Sequence, residues 1–162
     1  VLADTHIPSR ASEIPEWVEA EIRAADHAIH AGDFDSPEAF ARVAELADGD
    51  LTAVSGNMDP GGLELPATES LEYEGHTFVV THGTGSPQGY EDRVRTAARE
   101  ASDVPDPIAV SGHTHEALDT GTRETIRILN PGSATGAWPA SETTMMVLEV
   151  TEDAVEVEVR RG

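Results

Sequence analysis

The 162-residue sequence contains no cysteine and no lysine. The first absence excludes disulfides, thiolate metal sites and a cysteine nucleophile together. The second leaves arginine as the source of all ten cations, against 31 aspartates and glutamates, for a formal net charge of −21. Such a surface repels itself in dilute buffer and is screened in concentrated salt, so the composition predicts the cytoplasm of an extreme halophile. A basic footprint is also missing, which argues against nucleic acid as a partner. No apolar run approaches ~18 residues, so no helical membrane span is expected. No signal peptide is evident; the chain opens on Val1-Leu2-Ala3-Asp4, which reads as the second half of a strand, with a few preceding residues expected to be missing. The length fits one domain, residues 1–162. A globule of this size buries roughly 68–70% of its unfolded surface, enough for a core without staples.

Short apolar runs alternate with helical patterns through the first two-thirds of the chain. Strands are expected at 1–3, 28–31, 51–55 and 108–110, with helices at 15–24, 36–47 and 90–101. Pro15 and Ser36-Pro37 supply helix starts. Residues 70–73 and 77–81 around Glu74-Gly75 read as a hairpin. Strands at 126–129, 144–150 and 154–159 make the last third β-rich, with Thr151-Glu152-Asp153 turning the final hairpin. Two stacked sheets between helical layers fit this count.

Five segments each place a metal-binding side chain just past an apolar strand: Asp4-Thr5-His6, Gly32-Asp33, Gly56-Asn57, His82-Gly83 and Gly112-His113-Thr114-His115. Strand ends at one sheet edge are where open α/β folds assemble their sites. The two pairs spaced i, i+2 can each chelate from one strand end if the backbone is extended. Any one segment is an ordinary turn. In series they supply four histidines, two aspartates and an asparagine, more than a single ion needs. Mixed imidazole and oxygen ligands suit two first-row divalent ions. Two such ions ~3.5–4 Å apart form the clamp used for in-line phosphoryl displacement.

This ordered series resembles the calcineurin-like metallophosphoesterase superfamily, and Asn130-Pro131-Gly132-Ser133 looks like its small archaeal and bacterial phosphodiesterase branch. The resemblance runs from Asp4 to Ser133. It implies an α/β fold, a four-layer αββα sandwich of two mixed β-sheets flanked by helices. It further implies that Asp4, His6, Asp33 and His115 hold one ion, and that Asp33, Asn57, His82 and His113 hold the other. Manganese is the expected metal, with nickel, iron, zinc or cobalt as substitutes. The activity implied is that of a phosphodiesterase acting on a small phosphate ester, in which a water or hydroxide bridging the ions attacks phosphorus. Asp33, Asn57 and His82 are the expected catalytic residues. Asn57 can ligate through its carbonyl oxygen while its NH₂ faces a phosphate oxygen. One position departs from the pattern: many relatives carry histidine after Gly-Asn, where this chain has Met58, which neither donates a proton nor stabilises a leaving anion.

Other residues read more plainly. His30 reads as a satisfied structural histidine, with a bond to a metal ligand as the alternative, and His76 as solvent-facing; Asp35 and Asp59 read as surface acids by default, with orientation of ligands as the alternative. Trp17 falls with Ile14 and Val18 on a helical face and reads as core. Trp138 fits either a plug at the fold's edge or a homo-oligomer contact. Gly83-Thr84-Gly85-Ser86 is expected to be an active-site rim loop. Two rival functions remain: a non-catalytic scaffold, like the superfamily branch that serves an endosomal sorting coat, and a nuclease. The first usually loses its metal-binding histidines and the second usually carries a basic surface.

Overall fold

The computed structural model describes residues 1–121 and 126–162. Three helices start and face inward for reasons visible in their residues. Helix α1 (Glu16–Ala24) buries Val18 and Ile22, one turn apart. Helix α2 (Pro37–Leu46) is capped by Ser36, whose hydroxyl accepts from the Ala39 amide at 3.1 Å, and buries Ala39, Val43 and Leu46. Helix α3 (Tyr90–Glu100) buries Tyr90, Val94 and Ala98 at i, i+4 and i+8.

Strands β1 (Ala28–His30) and β2 (Leu51–Ala53) run parallel. The Leu2 amide bonds Ile29 and its carbonyl accepts from Ala31, while Val1 accepts from the Met146 amide. Residues 1–3 thereby join β1 to β8 (Thr144–Val150), which pairs antiparallel with β9 (Val155–Arg161). The expected first strand is reduced to a single bridge between Leu2 and His30.

The second sheet has the order β3-β4-β5-β7-β6, from β3 (Thr68–Tyr73), β4 (His76–Thr81), β5 (Ile108–Val110), β6 (Ala117–Asp119) and β7 (Ile128–Pro131). Its inner strands β4, β5 and β7 are parallel, and its two edge strands are antiparallel.

Alternation sorts the apolar residues into three layers. Leu2, Val18, Ala28, Val43 and Met145 pack between the first sheet and helices α1 and α2. Ala3, Ile29, Val54, Phe78, Val80 and Val110 fill the space between the sheets. Val79, Val94, Ala98, Ala109 and Ile128 join the second sheet to α3. Each fully buried Val, Leu, Ile or Phe contributes about 1.5–3 kcal/mol. The outcome is the expected sandwich of mixed sheets flanked by helices. Trp17, expected in the core, is half-buried against it. Among the described residues no helix is long and apolar enough to cross a membrane.

Candidate metal centre

Strands β1, β2, β4 and β5 deliver their carboxyl ends to one edge of the sandwich, and the chain turns sharply after each. Among the described residues, nine non-glycine positions have positive φ, and six of them lie here: Asp4 (52°), His6 (48°), Asp33 (64°), Asp35 (73°), His113 (74°) and His115 (59°). The i, i+2 pairs therefore converge through left-handed backbone at both members, and the extended geometry expected from the spacing does not apply. Such a conformation costs about 1–2 kcal/mol per residue and persists where surrounding contacts over-determine it.

Those contacts are explicit. The Asp59 carboxylate accepts from the amides of Asp33 (2.9 Å), Phe34 (2.7 Å), Asp35 (2.9 Å) and Gly56 (2.8 Å), stapling the loop after β1 to the loop after β2. The two loops touch backbone to backbone: a Cβ on Gly32 would lie 2.7 Å from the Gly56 nitrogen and 2.8 Å from His82 Nδ1. Asn130 donates to Tyr90 Oη, the Gly112 carbonyl and Thr114 Oγ1, fixing the loop after β5. The Tyr90 hydroxyl beneath it is buried, which pushes its pKa up to about 12 and keeps it a donor.

Five of the seven residues singled out in the sequence meet in one buried cluster. His6 Nδ1 donates to the Asp35 carboxylate at 2.9 Å, His82 Nδ1 to the Ala31 carbonyl at 2.6 Å, and His115 Nδ1 to the Ala137 carbonyl at 2.8 Å. Each ring thus spends its Nδ1 hydrogen outward and turns Nε2 inward. His6 Nε2 and His115 Nε2 are 3.1 Å apart. Asp4 Oδ1 lies 3.7 Å from His6 Nε2, 3.9 Å from His82 Nε2 and 3.4 Å from His115 Nε2. Asp33 Oδ2 lies 3.6 Å from His6 Nε2 and 3.2 Å from His82 Nε2. The other carboxylate oxygens are committed to backbone, Asp4 Oδ2 to the His113 amide and Asp33 Oδ1 to the Met58 amide.

Charge follows from this arrangement. Burial opposes a charge on His82, but pairing with Asp33 and proximity to Asp4 outweigh it and hold its pKa above the ordinary value. His6 is raised likewise, burial being outweighed by Asp4 and Asp35. In His115 burial wins over Asp4 and pushes the pKa down. Burial would raise Asp33, yet the His82 contact and the Met58 amide keep it below the usual carboxylate range.

The cluster fits a divalent cation. Asp4 Oδ1 and His82 Nε2 are buried and have no hydrogen-bond partner among the described residues. An unsatisfied buried group costs about 1–3 kcal/mol, and a cation held by Asp4 Oδ1 and His82 Nε2 would satisfy both. Two groups satisfy ligand spacing, Asp4–His6–His115 and Asp4–Asp33–His82, with donor atoms in each within 4.8 Å of one another. Carboxylate and imidazole are the donor set of first-row divalent ions.

Asn57 and His113 stand outside that cluster. Asn57 is exposed, next to Gly56, and its side chain makes no hydrogen bond among the described residues. His113 is half-buried, its ring centroid 5.2 Å from that of His82, and its Nε2 lies 2.8 Å from the Gly85 carbonyl and 3.3 Å from the Gly85 amide nitrogen. Nδ1 is the nitrogen left over. Met58 is 42% exposed beside Asp33. His30, fully buried, accepts from the Gly32 amide and bonds Thr5, the structural role expected of it. Burial lowers its pKa well below the ordinary value, so it stays neutral. Asp35 and Asp59 are not the surface acids they were expected to be. Asp35 repeats the i, i+2 spacing after Asp33, a signal that could have placed it here. Nothing in sequence alone marks Asp59 or Asn130 as loop staples.

Residues 1–153 match the family model of the calcineurin-like phosphoesterase superfamily domain, and the chain belongs to that superfamily. It is 34% identical over 162 residues to a probable metallophosphoesterase of Methanothermobacter thermautotrophicus, covering 99% of this chain and 90% of that one. A probable metallophosphoesterase of Methanocaldococcus jannaschii is 37% identical over 136 residues, 83% of this chain and 67% of its own. Among solved structures, a single mutant of Vps29 from Entamoeba histolytica matches with a TM-score of 0.77 over 99% of this chain and 97% of its own, at 23% identity. That last likeness is one of fold. Family and cluster together support a metal-dependent phosphoesterase that binds divalent metal.

Proposed function

We propose that the protein is a phosphodiesterase that uses two divalent ions, manganese foremost, to hydrolyse a small phosphate ester. The observation that carries this reading is the buried cluster itself, three imidazole Nε2 atoms and two carboxylate oxygens turned toward one another at ligand spacing. Asp4, His6, Asp33 and His115 would hold one ion; Asp33, Asn57, His82 and His113 would hold the other. Sharing of Asp33 is supported by the reach of its Oδ2 to both His6 and His82. Asp4 Oδ1 reaches the same two rings and is the alternative bridge. Bound divalent cations neutralise phosphate charge and acidify water at neutral pH.

The chain's own residues prepare the rest. Asp35 and the carbonyls of Ala31 and Ala137 lock ring orientation and tautomer, as outer partners of ligand histidines do. Asp59 holds the Asp33 and Asn57 loops in register. Asn57, exposed at the rim, can turn its NH₂ to a phosphate oxygen. A cleft of about 600 Å³, lined by Ser55, Gly56, Thr81, His82, Gly83 and Thr84 among others, gives the alcohol side of the ester a place beside His82. Met58 offers that departing oxygen no proton.

Turnover of an aryl phosphodiester beside its monoester, with and without added manganese, tests this reading. Faster, metal-dependent diester cleavage is expected. A preference for the monoester overturns the diester assignment, and undiminished turnover without metal overturns the metal chemistry. A scaffold role is the second reading, favoured by the fold likeness to Vps29 and by Trp138, 77% exposed. The complete set of cluster histidines weighs against it, as the net charge of −21 weighs against a nuclease.

A further inference from the structure

The loop between β4 and α3 is wrapped around one side chain. Arg93, in the first turn of α3, donates Nη1 to the Gln88 carbonyl at 3.0 Å, and Nη2 to the carbonyls of Ser86 at 2.7 Å and Gly83 at 3.2 Å. A Cβ on Gly85 would lie 3.0 Å from the guanidinium carbon, so the bare glycine backbone rests against the planar group. Gly85 has φ +135°, a conformation that side chains rarely adopt. His113 Nε2 lies 2.8 Å from the carbonyl of this same Gly85 and 3.3 Å from its amide nitrogen, so the nearer contact calls for a hydrogen on Nε2. The segment 83–89 has no helix or strand of its own and so no ladder to hold it.

We propose that Arg93 is a positioning residue: by bonding the carbonyls on either side of Gly85, it keeps the Gly85 carbonyl rather than the Gly85 amide against His113 Nε2 and so holds His113 as the Nε2–H tautomer with Nδ1 free to ligate. This rests on the reading of His113 as a ligand of the second ion. The other three histidines take their outer bonds from Asp35, Ala31 and Ala137 and are buried in the cluster. His113 is the half-buried one, and its acceptor sits on a loop that depends on a distant guanidinium. Only a planar fork spans several carbonyls at once; lysine is a point charge on a flexible stem. Outer-shell partners of this kind typically set metal affinity by ~10–100-fold.

The experiment compares wild type, Arg93→Ala and Arg93→Lys in two measurements. The first is the His113 side-chain nitrogen spectrum of metal-free protein. Wild type should show Nε2–H, and both variants a mixture of tautomers, with guanidinium ion partly restoring the wild-type pattern in Arg93→Ala. The second is a calorimetric manganese titration, in which the variants should bind one of the two equivalents ~10–100-fold less tightly and the other as wild type does. An unchanged His113 tautomer overturns the proposal, and so do two unchanged equivalents. Wild type binding fewer than two equivalents overturns the two-ion reading instead, and the tautomer measurement still decides the role of Arg93. Gly85→Ala, which crowds the guanidinium from the loop side, should reproduce the tautomer mixture while leaving Arg93 in place.

Discussion

The buried cluster and its rim are built differently. Asp4, His6, Asp33, His82 and His115 are 0–6% exposed, and each is held by at least one hydrogen bond to a fixed backbone or carboxylate atom. Asn57 and Met58 are exposed on a loop, and His113 leans on another loop that Arg93 organises. The inward atoms of the cluster are imidazole nitrogens and carboxylate oxygens at ligand spacing, the donor set of a divalent cation. The rim includes Met58, and Gly56 two residues before it lines the 600 Å³ cleft. Under the proposed function, metal binding belongs to the buried cluster and substrate choice to the rim.

Breaking the cluster should cost most. Asp33→Asn removes the carboxylate charge that the proposed function shares between the two ions, and turnover should fall by at least ~10²–10³-fold, the cost of losing one preorganised stabilising group. Unchanged turnover in that variant would make the ligand assignment wrong. A change at the rim should act differently. Met58→His offers the leaving oxygen a proton and should raise rates for poor leaving groups by up to ~10²-fold, the low end of general acid catalysis. In the native enzyme, log rate against leaving-group pKa should fall steeply across aryl diesters, and Met58→His should flatten the line. A shallow native slope would remove Met58 from the account.

Between these extremes lies Asp35, which touches the cluster only through His6 Nδ1. Asp35→Asn keeps an acceptor but loses the charge, and should weaken metal binding by ~10–100-fold with less effect on the leaving-group slope. Equal affinity in a calorimetric titration would reduce Asp35 to packing. The smallest effect on chemistry should come from salt. With −21 net charge, stability should rise from millimolar to molar potassium chloride as repulsion is screened. Each kcal/mol of repulsion relieved is worth roughly 2–4 °C in melting temperature for a chain of this size. A flat or falling melting temperature would end the halophile expectation.

The legible parts of the molecule were those with strong local signals. Helix α2 announced itself through Ser36-Pro37 and the spacing of Ala39, Val43 and Leu46, and the β3–β4 hairpin through Glu74-Gly75. The cluster residues were legible because each follows an apolar strand with a glycine or a repeated spacing. Strand β6, only Ala117–Asp119, was missed because three residues carry no period. Residues 1–3 read as a strand but are held as one bridge between β1 and β8, a long-range pairing that no local pattern encodes. Asp59 looked like one more acid in an acidic chain, since its four amide partners come from loops about 25 residues apart in sequence. The left-handed backbone at the paired ligands was hidden for a related reason. It is held by contacts from distant segments, the Asp4 and His6 amides bonding the Gly32 and Asp33 carbonyls and the His113 amide bonding Asp4 Oδ2, against the preference of the residues themselves.

The most direct test of the account is the metal content of the protein set against its activity. The protein would be stripped by exhaustive chelation, reloaded with manganese, freed of excess metal by gel filtration and assayed for diester cleavage at each stage. The account predicts close to two equivalents per chain after loading, no turnover after stripping, and recovery on reloading. Full turnover by metal-free protein, or a loaded protein that retains no metal, would contradict it.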